Sequence, residues 1–291
     1  RRYYPAGLNA GHILGFTDID DHGQEGVERA FDRHLSGVEG KKRVLRDARR
    51  RVIADVDSVK PVYHGHDLVL SIDLRLQTSA RRYLAEAVQA HGAAGGSALL
   101  LDSRTAEVLA MVNLPDFNPN DRSEIKDGHF RNRVVTDVFE PGSTVKPFTM
   151  SLALETGSFT PDSVVETSPG YYRVGGWTIH DIKNYGSLTL SRVLIKSSNI
   201  GTAKIAMAMA PQELYKIFHE IGFGQITGVE LPGEQAGVLP NRRQWRDSEH
   251  ASMAYGYGVA VTPLQLARAY GVLAEDGVML PISIRKREKA P

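Results

Sequence analysis

Apolar and polar residues alternate with different rhythms along the chain, and the changes of rhythm mark its elements. Between Asp73 and Ala90 the residues Leu76, Tyr83, Leu84 and Val88 recur at helical spacing, which predicts a helix over 73–90. The apolar run Leu68–Ile72 before it predicts a strand. After Gly95-Gly96-Ser97, the run Ala98–Asp102 is joined by Ser103-Arg104-Thr105 to Glu107–Val112. Two apolar strands linked by a short polar turn predict a hairpin, so the sheet is at least partly antiparallel. Residues 113–133 are polar and read as loop. From Ser143 onward the chain reads as mostly helical, with helices expected over 147–156, 188–195, 200–209 and 211–221. A further helix is expected over 264–270, with Thr262 as cap, Pro263 in its first turn and Gly277 beyond its end. Upstream, the turn Asp20-Asp21-His22-Gly23 precedes Val27, Ala30, Phe31 and Leu35 at helical spacing, closed by Gly37. The rest of 1–66 reads as an irregular α+β region.

Composition narrows the function. The chain has 291 residues, 42% apolar and 24% charged, with a formal net charge of +1, so nothing global points to nucleic acid or acidic lipid. With no cysteine, disulfides, thiolate metal sites and cysteine nucleophiles are excluded. No stretch approaches the roughly 18 apolar residues of a membrane span. No apolar run follows Arg1-Arg2-Tyr3-Tyr4-Pro5, so the start does not read as a signal peptide; the expectation is a portion of something longer. The basic run 41–51 reads as the solvated face of a strand or hairpin, with a polyanion or partner patch as the alternative. His64-x-His66-Asp67 has a metal-like look but sits where a turn enters a strand, and no metal or cofactor is expected. No phosphate-binding loop or dinucleotide fingerprint is present.

The candidate chemistry lies in Glu140-Pro141-Gly142-Ser143-Thr144-Val145-Lys146-Pro147. Ser-x-x-Lys also occurs at Ser123…Lys126 in a polar loop and at Ser283…Lys286 in a charged tail. Context separates the three. Ser143 follows Pro141-Gly142, which break any preceding element, and precedes an apolar helix with Phe148, Met150, Leu152 and Leu154. It is expected at a helix N-terminus, where unpaired N–H groups and the dipole favour negative charge. Lys146 is expected one turn later on the same face, within reach of the hydroxyl. A serine nucleophile without histidine needs such a base, and a lysine serves when desolvation and neighbours lower its pKa. Ser197-Ser198-Asn199, between two helices, holds a hydroxyl able to relay protons and an amide able to hold the lysine or a substrate carbonyl. The ordinary readings are a helix cap for Ser143 and Ser198 and a surface charge for Lys146. Tyr255-Gly256-Tyr257-Gly258 suits close backbone approach to a ligand with rings as a wall, or equally a packed strand edge.

On these strings the sequence resembles class B penicillin-binding proteins over essentially its whole length. Leu70-Ser71-Ile72-Asp73 with Leu76-Gln77, Gly222-Phe223-Gly224 with Thr227-Gly228, Leu231-Pro232-Gly233-Glu234 and Thr262-Pro263-Leu264-Gln265 add to the likeness. Gly23-x-Glu25-Gly26-x-Glu28 looks like the family's non-catalytic pedestal. Tyr255-Gly256-Tyr257-Gly258 and His180-Asp181-Ile182-Lys183 look most like the division-specific septal type. The resemblance implies an α+β, serine β-lactamase/transpeptidase-like fold, an antiparallel sheet flanked by helices plus a helical lobe, over 67–291, preceded by part of an irregular pedestal domain over 1–66. It implies a serine D,D-transpeptidase on the periplasmic face of the bacterial inner membrane. Ser143 would attack the penultimate D-Ala carbonyl of a peptidoglycan stem peptide, with Lys146 as base. Ser197 would carry the proton to the leaving group, and Asn199 would bind the substrate amide. Glu140, Ile182, Tyr255 and Tyr257 would line the cleft. Implied partners are stem peptides, covalent β-lactam inhibitors, and other cell-division and glycan-polymerising membrane proteins.

One motif departs from the pattern. The family's Lys-Thr-Gly or Lys-Ser-Gly on an inner strand is absent from this sequence; the resemblance places it well beyond Ala260, with further strands of the sheet. The expectation is that such residues follow in the protein or that this stretch alone is inactive, since one lost oxyanion donor costs about 10²–10³ in rate. Two competing functions remain at this stage. One is a carboxypeptidase or β-lactamase-type hydrolase, which needs a water-activating residue that the sequence does not reveal. The other is a non-catalytic penicillin-sensor module on the same fold.

Overall fold

The structure, a computed structural model, describes residues 2–121, 123, 128–241 and 245–288. Lys126 of the Ser123…Lys126 pair and residues 289–291 of the charged tail lie outside the described residues. By packing the chain forms two units, and the boundary expected at 66/67 falls inside the first of them.

The first unit runs through Val134 and includes Gly228–Gly233 and the segment from Ile282. Its N-terminal part holds short helices, α1 (Gly11–Leu14), α2 (Gly26–Ala30) and α3 (Asp32–Leu35). The single helix expected from Val27 to Leu35 is thus two, broken at Phe31, which closes α2 and opens α3. Strands β1 (Lys41–Arg46) and β2 (Val52–Lys60) form an antiparallel ribbon. Its basic side chains face water, with Lys42 on Asp55 at 2.8 Å and Arg51 on Asp47 at 2.9 Å. The region 64–67 holds no metal cluster. The His34 and His66 rings lie 5.3 Å apart, and no group of three metal-ligating side chains exists among the described residues.

Helix α4 (Leu74–Ala90) starts on Asp73, whose carboxylate accepts from the N–H groups of Arg75 and Leu76. Strands β3 (Gly96–Leu101) and β4 (Val108–Leu114) are the expected antiparallel hairpin. Buried Gln77 fastens α4 to β4: its amide donates to Met111 O at 2.8 Å and accepts from Met111 N at 2.8 Å. Leu68–Ile72, expected as a strand, makes only an isolated bridge, Leu70 to Arg285. Its neighbour is the irregular segment 283–286, which gives it single contacts (Ser71 N to Ile284 O, 2.9 Å) in place of a ladder. Ser283 and Lys286, the second background Ser-x-x-Lys pair, are spent here, Lys286 on buried Glu107 at 3.2 Å.

The single-turn helix α5 (Arg133–Thr136) leads into the second unit, Val135–Thr227 with Glu234–Pro281. Its elements are α6 (Lys146–Glu155), β5 (Val164–Glu166), β6 (Tyr171–Val174), β7 (Trp177–His180), β8 (Ser187–Thr189), α7 (Leu190–Lys196), α8 (Asn199–Met207), α9 (Pro211–Glu220), α10 (Asp247–Met253) and α11 (Pro263–Ala274). The helical reading holds for α6, α7, α8, α9 and α11, but four short strands and α10 were not expected. The strands pair as β5–β8 and β6–β7, antiparallel, so the region is α+β rather than mostly helical. Phe148 of α6, Leu214 and Phe218 of α9, and Phe223 are all but fully buried in one core. Truncating such a phenylalanine to alanine costs about 3–5 kcal/mol. Ile200 and Ala203 of α8 join Ile179 of β7 and Ala251 of α10 in a smaller cluster, which seats the start of α8 against the β6–β7 hairpin. Thr262 caps α11 as expected, accepting from Gln265 N at 3.1 Å while Gln265 Oε1 accepts from Thr262 N at 2.8 Å.

Candidate active site

Pro141 and Gly142 end the incoming extended chain, and Gly142–Val145 forms one 3₁₀ turn running directly into α6. Ser143 lies in that turn, one step short of the α-helix, with its side chain exposed. The turn is held by main-chain atoms. Gly142 N donates to Gly256 O at 3.0 Å, and Gly256, at φ +90°, packs so closely that a Cβ would meet Gly142 O at 2.1 Å. Tyr270 of α11 donates its hydroxyl to Thr144 O at 2.8 Å, and its ring packs edge-on against Phe148. Gly256 of the Tyr-Gly-Tyr-Gly run therefore serves approach of backbone to the nucleophile turn, whereas nothing lies within 4 Å of a Cβ built on Gly258.

Lys146, the first residue of α6, is fully buried. A buried ammonium needs partners, and it has three: Ser197 O at 2.6 Å, Asn199 Oδ1 at 2.8 Å and Ser197 Oγ at 3.0 Å. The structure thus turns the lysine toward Ser197 and Asn199. The contact expected with Ser143 Oγ is not formed, because all three ammonium protons are engaged. Burial pushes the Lys146 pKa down to about 8, against the charge of Asp181, which raises it.

Ser197 closes α7 in the left-handed conformation, φ +53° and ψ +40°, a conformation non-glycine residues rarely adopt. This brings its carbonyl and hydroxyl onto one atom of Lys146. Ser198 caps α8, its hydroxyl accepting from Gly201 N at 2.9 Å. Asn199 opens α8, and its Nδ2 donates to His180 O at 3.3 Å, which leaves Oδ1 for the lysine. When Lys146 is neutral its two protons suit the carbonyl oxygens of Ser197 and Asn199, which only accept. Its lone pair is then left for a hydroxyl, the one kind of neighbour that can donate.

Asp181 supports this corner and was not assigned a role from sequence. Its Oδ1 accepts from Asn199 N at 2.6 Å and Ile200 N at 3.1 Å, and its Oδ2 accepts from Ser198 Oγ at 2.5 Å. A carboxylate at the start of α8 is where unpaired N–H groups and the helix dipole favour one. No local sequence signal marked it, since its partner Ser198 lies 17 residues away.

The four expected cleft residues part company. Tyr255 is buried and Tyr257 half exposed, their rings 5.6 Å apart edge to face, and both line a pocket of about 450 Å³ together with Asn199. Glu140 instead accepts from Gly258 N at 2.8 Å, tying the tyrosine loop to the residue before Pro141. Ile182 is 94% exposed and outside the pocket lining, because Asp181 turns inward and the bend after it faces water.

An α+β fold that sets Ser-x-x-Lys against Ser-x-Asn on neighbouring helix ends defines the class of penicillin-interacting serine acyl enzymes. Comparison with known proteins is specific. Residues 96–290 match the penicillin binding protein transpeptidase domain, and residues 1–70 match the penicillin-binding protein dimerisation domain. The chain is 46% identical over 286 residues to the peptidoglycan D,D-transpeptidase FtsI of Escherichia coli, covering 98% of this chain and 48% of that protein. It is 42% identical over 293 residues to the probable peptidoglycan D,D-transpeptidase PenA of Neisseria meningitidis, covering 100% of this chain and 50% of that protein. A crystal structure of penicillin-binding protein 3 from Mycobacterium tuberculosis complexed with aztreonam matches with a TM-score of 0.87 at 36% identity, over 100% of this chain and 62% of that one. The chain belongs to the penicillin-binding protein transpeptidase family, and it is similar to the FtsI and penicillin-binding protein 3 type. It spans about half the length of the relatives it matches.

Proposed function

We propose that the protein containing this chain is a serine D,D-transpeptidase that cross-links peptidoglycan stem peptides during cell division and is acylated by β-lactams. The observation that carries the reading is the buried Lys146 held on Ser197 and Asn199. At a pKa of about 8, about a quarter of such lysines are neutral at pH 7.5, against about one in a thousand at the ordinary value. That fraction makes a usable base.

Ser143 Oγ attacks the carbonyl carbon of the penultimate D-Ala as its proton passes to Lys146 Nζ. The tetrahedral intermediate collapses, the C–N bond to the last D-Ala breaks, and its amine takes a proton through Ser197 Oγ. The amine of a second stem peptide then attacks the acyl-enzyme, forming the cross-link and freeing Ser143. Ser143 and Lys146 are the nucleophile and base, Ser197 the relay, and Asn199 both a holder of Lys146 and a ligand for the substrate amide. The family relationship supports action at the periplasmic face of the inner membrane alongside other division and glycan-polymerising proteins. Among the described residues no helix is long and apolar enough to cross a membrane.

Intact mass after exposure of the full-length protein to a penicillin tests the reading. One stoichiometric adduct is expected on the wild type and none on Ser143→Ala. An adduct persisting in Ser143→Ala refutes the nucleophile, and one lost within minutes favours a hydrolase.

A further inference from the structure

The turn that carries Ser143 is weak by its own bonding. Thr144 N reaches Pro141 O only at 3.4 Å, beyond the usual range for such a bond, and the Thr144 hydroxyl backs it up on the same oxygen at 2.7 Å. Pro147 has no N–H, so Ser143 O has no donor four residues on and accepts from Lys146 N instead. A single 3₁₀ turn of this kind keeps its shape by what grips it from outside. Ahead of the serine the grip is main chain, Gly142 N on Gly256 O at 3.0 Å. Behind the serine it is one side chain, Tyr270 of α11, whose hydroxyl donates to Thr144 O at 2.8 Å from 126 residues away in sequence.

The surroundings of Tyr270 hold that hydroxyl still. Its ring packs edge-on against Phe148 at 5.3 Å, Phe148 against Phe223 at 6.1 Å, and Phe223 against Phe218 at 5.6 Å, a row of rings running into the core. The three phenylalanines are buried, and Tyr270 is 41% exposed at the outer end of the row. A fourth phenylalanine would fill that place equally well, so the hydroxyl is what the row does not need. Partial burial pushes the phenol pKa up, which keeps it a donor throughout the neutral range. We propose that Tyr270 is a positioning residue for acylation: by pinning the Thr144–Val145 peptide it holds Ser143 Oγ at the angle from which it attacks. The inference rests on the reading of Ser143 as nucleophile. Tyr270 acts through Thr144 and transfers no proton. Thr144 is exposed, so water can replace a lost hydroxyl on its carbonyl, and stability then changes little. A water fixes no direction, however, and rates are steep in that geometry, a displacement of about 1 Å costing about 100-fold.

The test is acylation of the full-length protein by a chromogenic β-lactam over a range of concentrations, which separates the saturating acylation rate from the dissociation constant of the non-covalent complex. Tyr270→Phe keeps the row of rings and removes only the hydroxyl. It is expected to lower the saturating rate about fivefold, the equivalent of one ordinary hydrogen bond, with the dissociation constant unmoved. Amide hydrogen exchange is expected to quicken over 142–146 and to stay the same over α9. Leu214→Val, at a fully buried position of the same core away from the turn, is the comparison: it lowers the melting temperature and leaves the saturating rate in place. A saturating rate in Tyr270→Phe within about threefold of the wild type overturns the inference. So does a rate loss that Leu214→Val shares at an equal loss of melting temperature, which makes Tyr270 a core residue only. A weakened non-covalent complex at an unchanged saturating rate also overturns it, since Tyr270 is then a ligand contact. A penicillin adduct that persists in Ser143→Ala sinks the nucleophile reading instead, so the two failures are distinguishable.

Discussion

Asp181→Asn separates support from electrostatics at the acylation corner. In the wild type both backbone N–H contacts fall on Oδ1 and the Ser198 hydroxyl falls on Oδ2. An asparagine can keep its oxygen under the two N–H groups, but its NH₂ then faces Ser198 Oγ. That hydroxyl already accepts from Gly201 N and is fully buried, so its own proton loses its acceptor. An orphaned buried donor costs about 1–3 kcal/mol, and two charge-assisted bonds weaken by about 1 kcal/mol each, giving a loss of about 3–5 kcal/mol. Ser197 and Asn199 flank that serine, so the acylation plateau is expected to fall at least tenfold. The second effect has the opposite sense. Asp181 raises the Lys146 pKa, so its neutralisation lowers that pKa further below about 8 and leaves more free base at a given pH. The assay is the acylation rate of the full-length protein by a chromogenic β-lactam from pH 6 to 10, with thermal melting alongside. Expected are a lower plateau, a lower melting temperature and a rising limb displaced to lower pH. A limb that stays in place or moves up refutes the electrostatic link, and an undiminished plateau refutes the positioning.

Two further outcomes follow from the same geometry. Gly256→Ala places a methyl 2.1 Å from Gly142 O on a backbone at φ +90°, so a loss of roughly 2–4 kcal/mol and at least a tenfold slower penicillin adduct are expected by melting and intact mass. Lys146 is depressed to about 8 in the folded state, so the unfolded chain holds more protons between about pH 8 and 10.5. Its contribution to stability is therefore full above 10.5 and lost as pH falls to 8, with a slope of up to about 1.4 kcal/mol per pH unit. Denaturant midpoints of wild type against Lys146→Met over that window read it, and parallel pH profiles refute it.

Elements with several turns of repeated pattern or an explicit cap were legible in the sequence. Asp73 before α4, the apolar β3–β4 hairpin, and Thr262-Pro263 before α11 each carry their own local signal. The strands β5 to β8 span three or four residues, too few for a period of two to show, and they exist because distant partners pair them. Helix α10 opens Asp-Ser-Glu-His and buries only one side, so its polar start hid it. At the site, the motif spacing marked Ser143, Lys146, Ser197 and Asn199, and the structure gathers the last three around one ammonium. The choice of Ser197 and Asn199 over Ser143 as partners of Lys146 depends on the left-handed turn at Ser197, a tertiary outcome. Asp181 and Tyr270 were invisible for a similar reason: each acts on atoms of another element. Ile182 was placed by likeness to a family, and its own surroundings put it in solvent.

The contact between Gly142 and Gly256 also bears on how such a protein responds to selection. The position of the nucleophile is registered by carbonyl and amide groups common to every residue, with no side chain interposed. Substitution at either glycine strains the turn itself, so a lineage under antibiotic pressure has no small step by which to shift the serine through this contact. A position such as Ile182, 94% exposed, can change without disturbing the core.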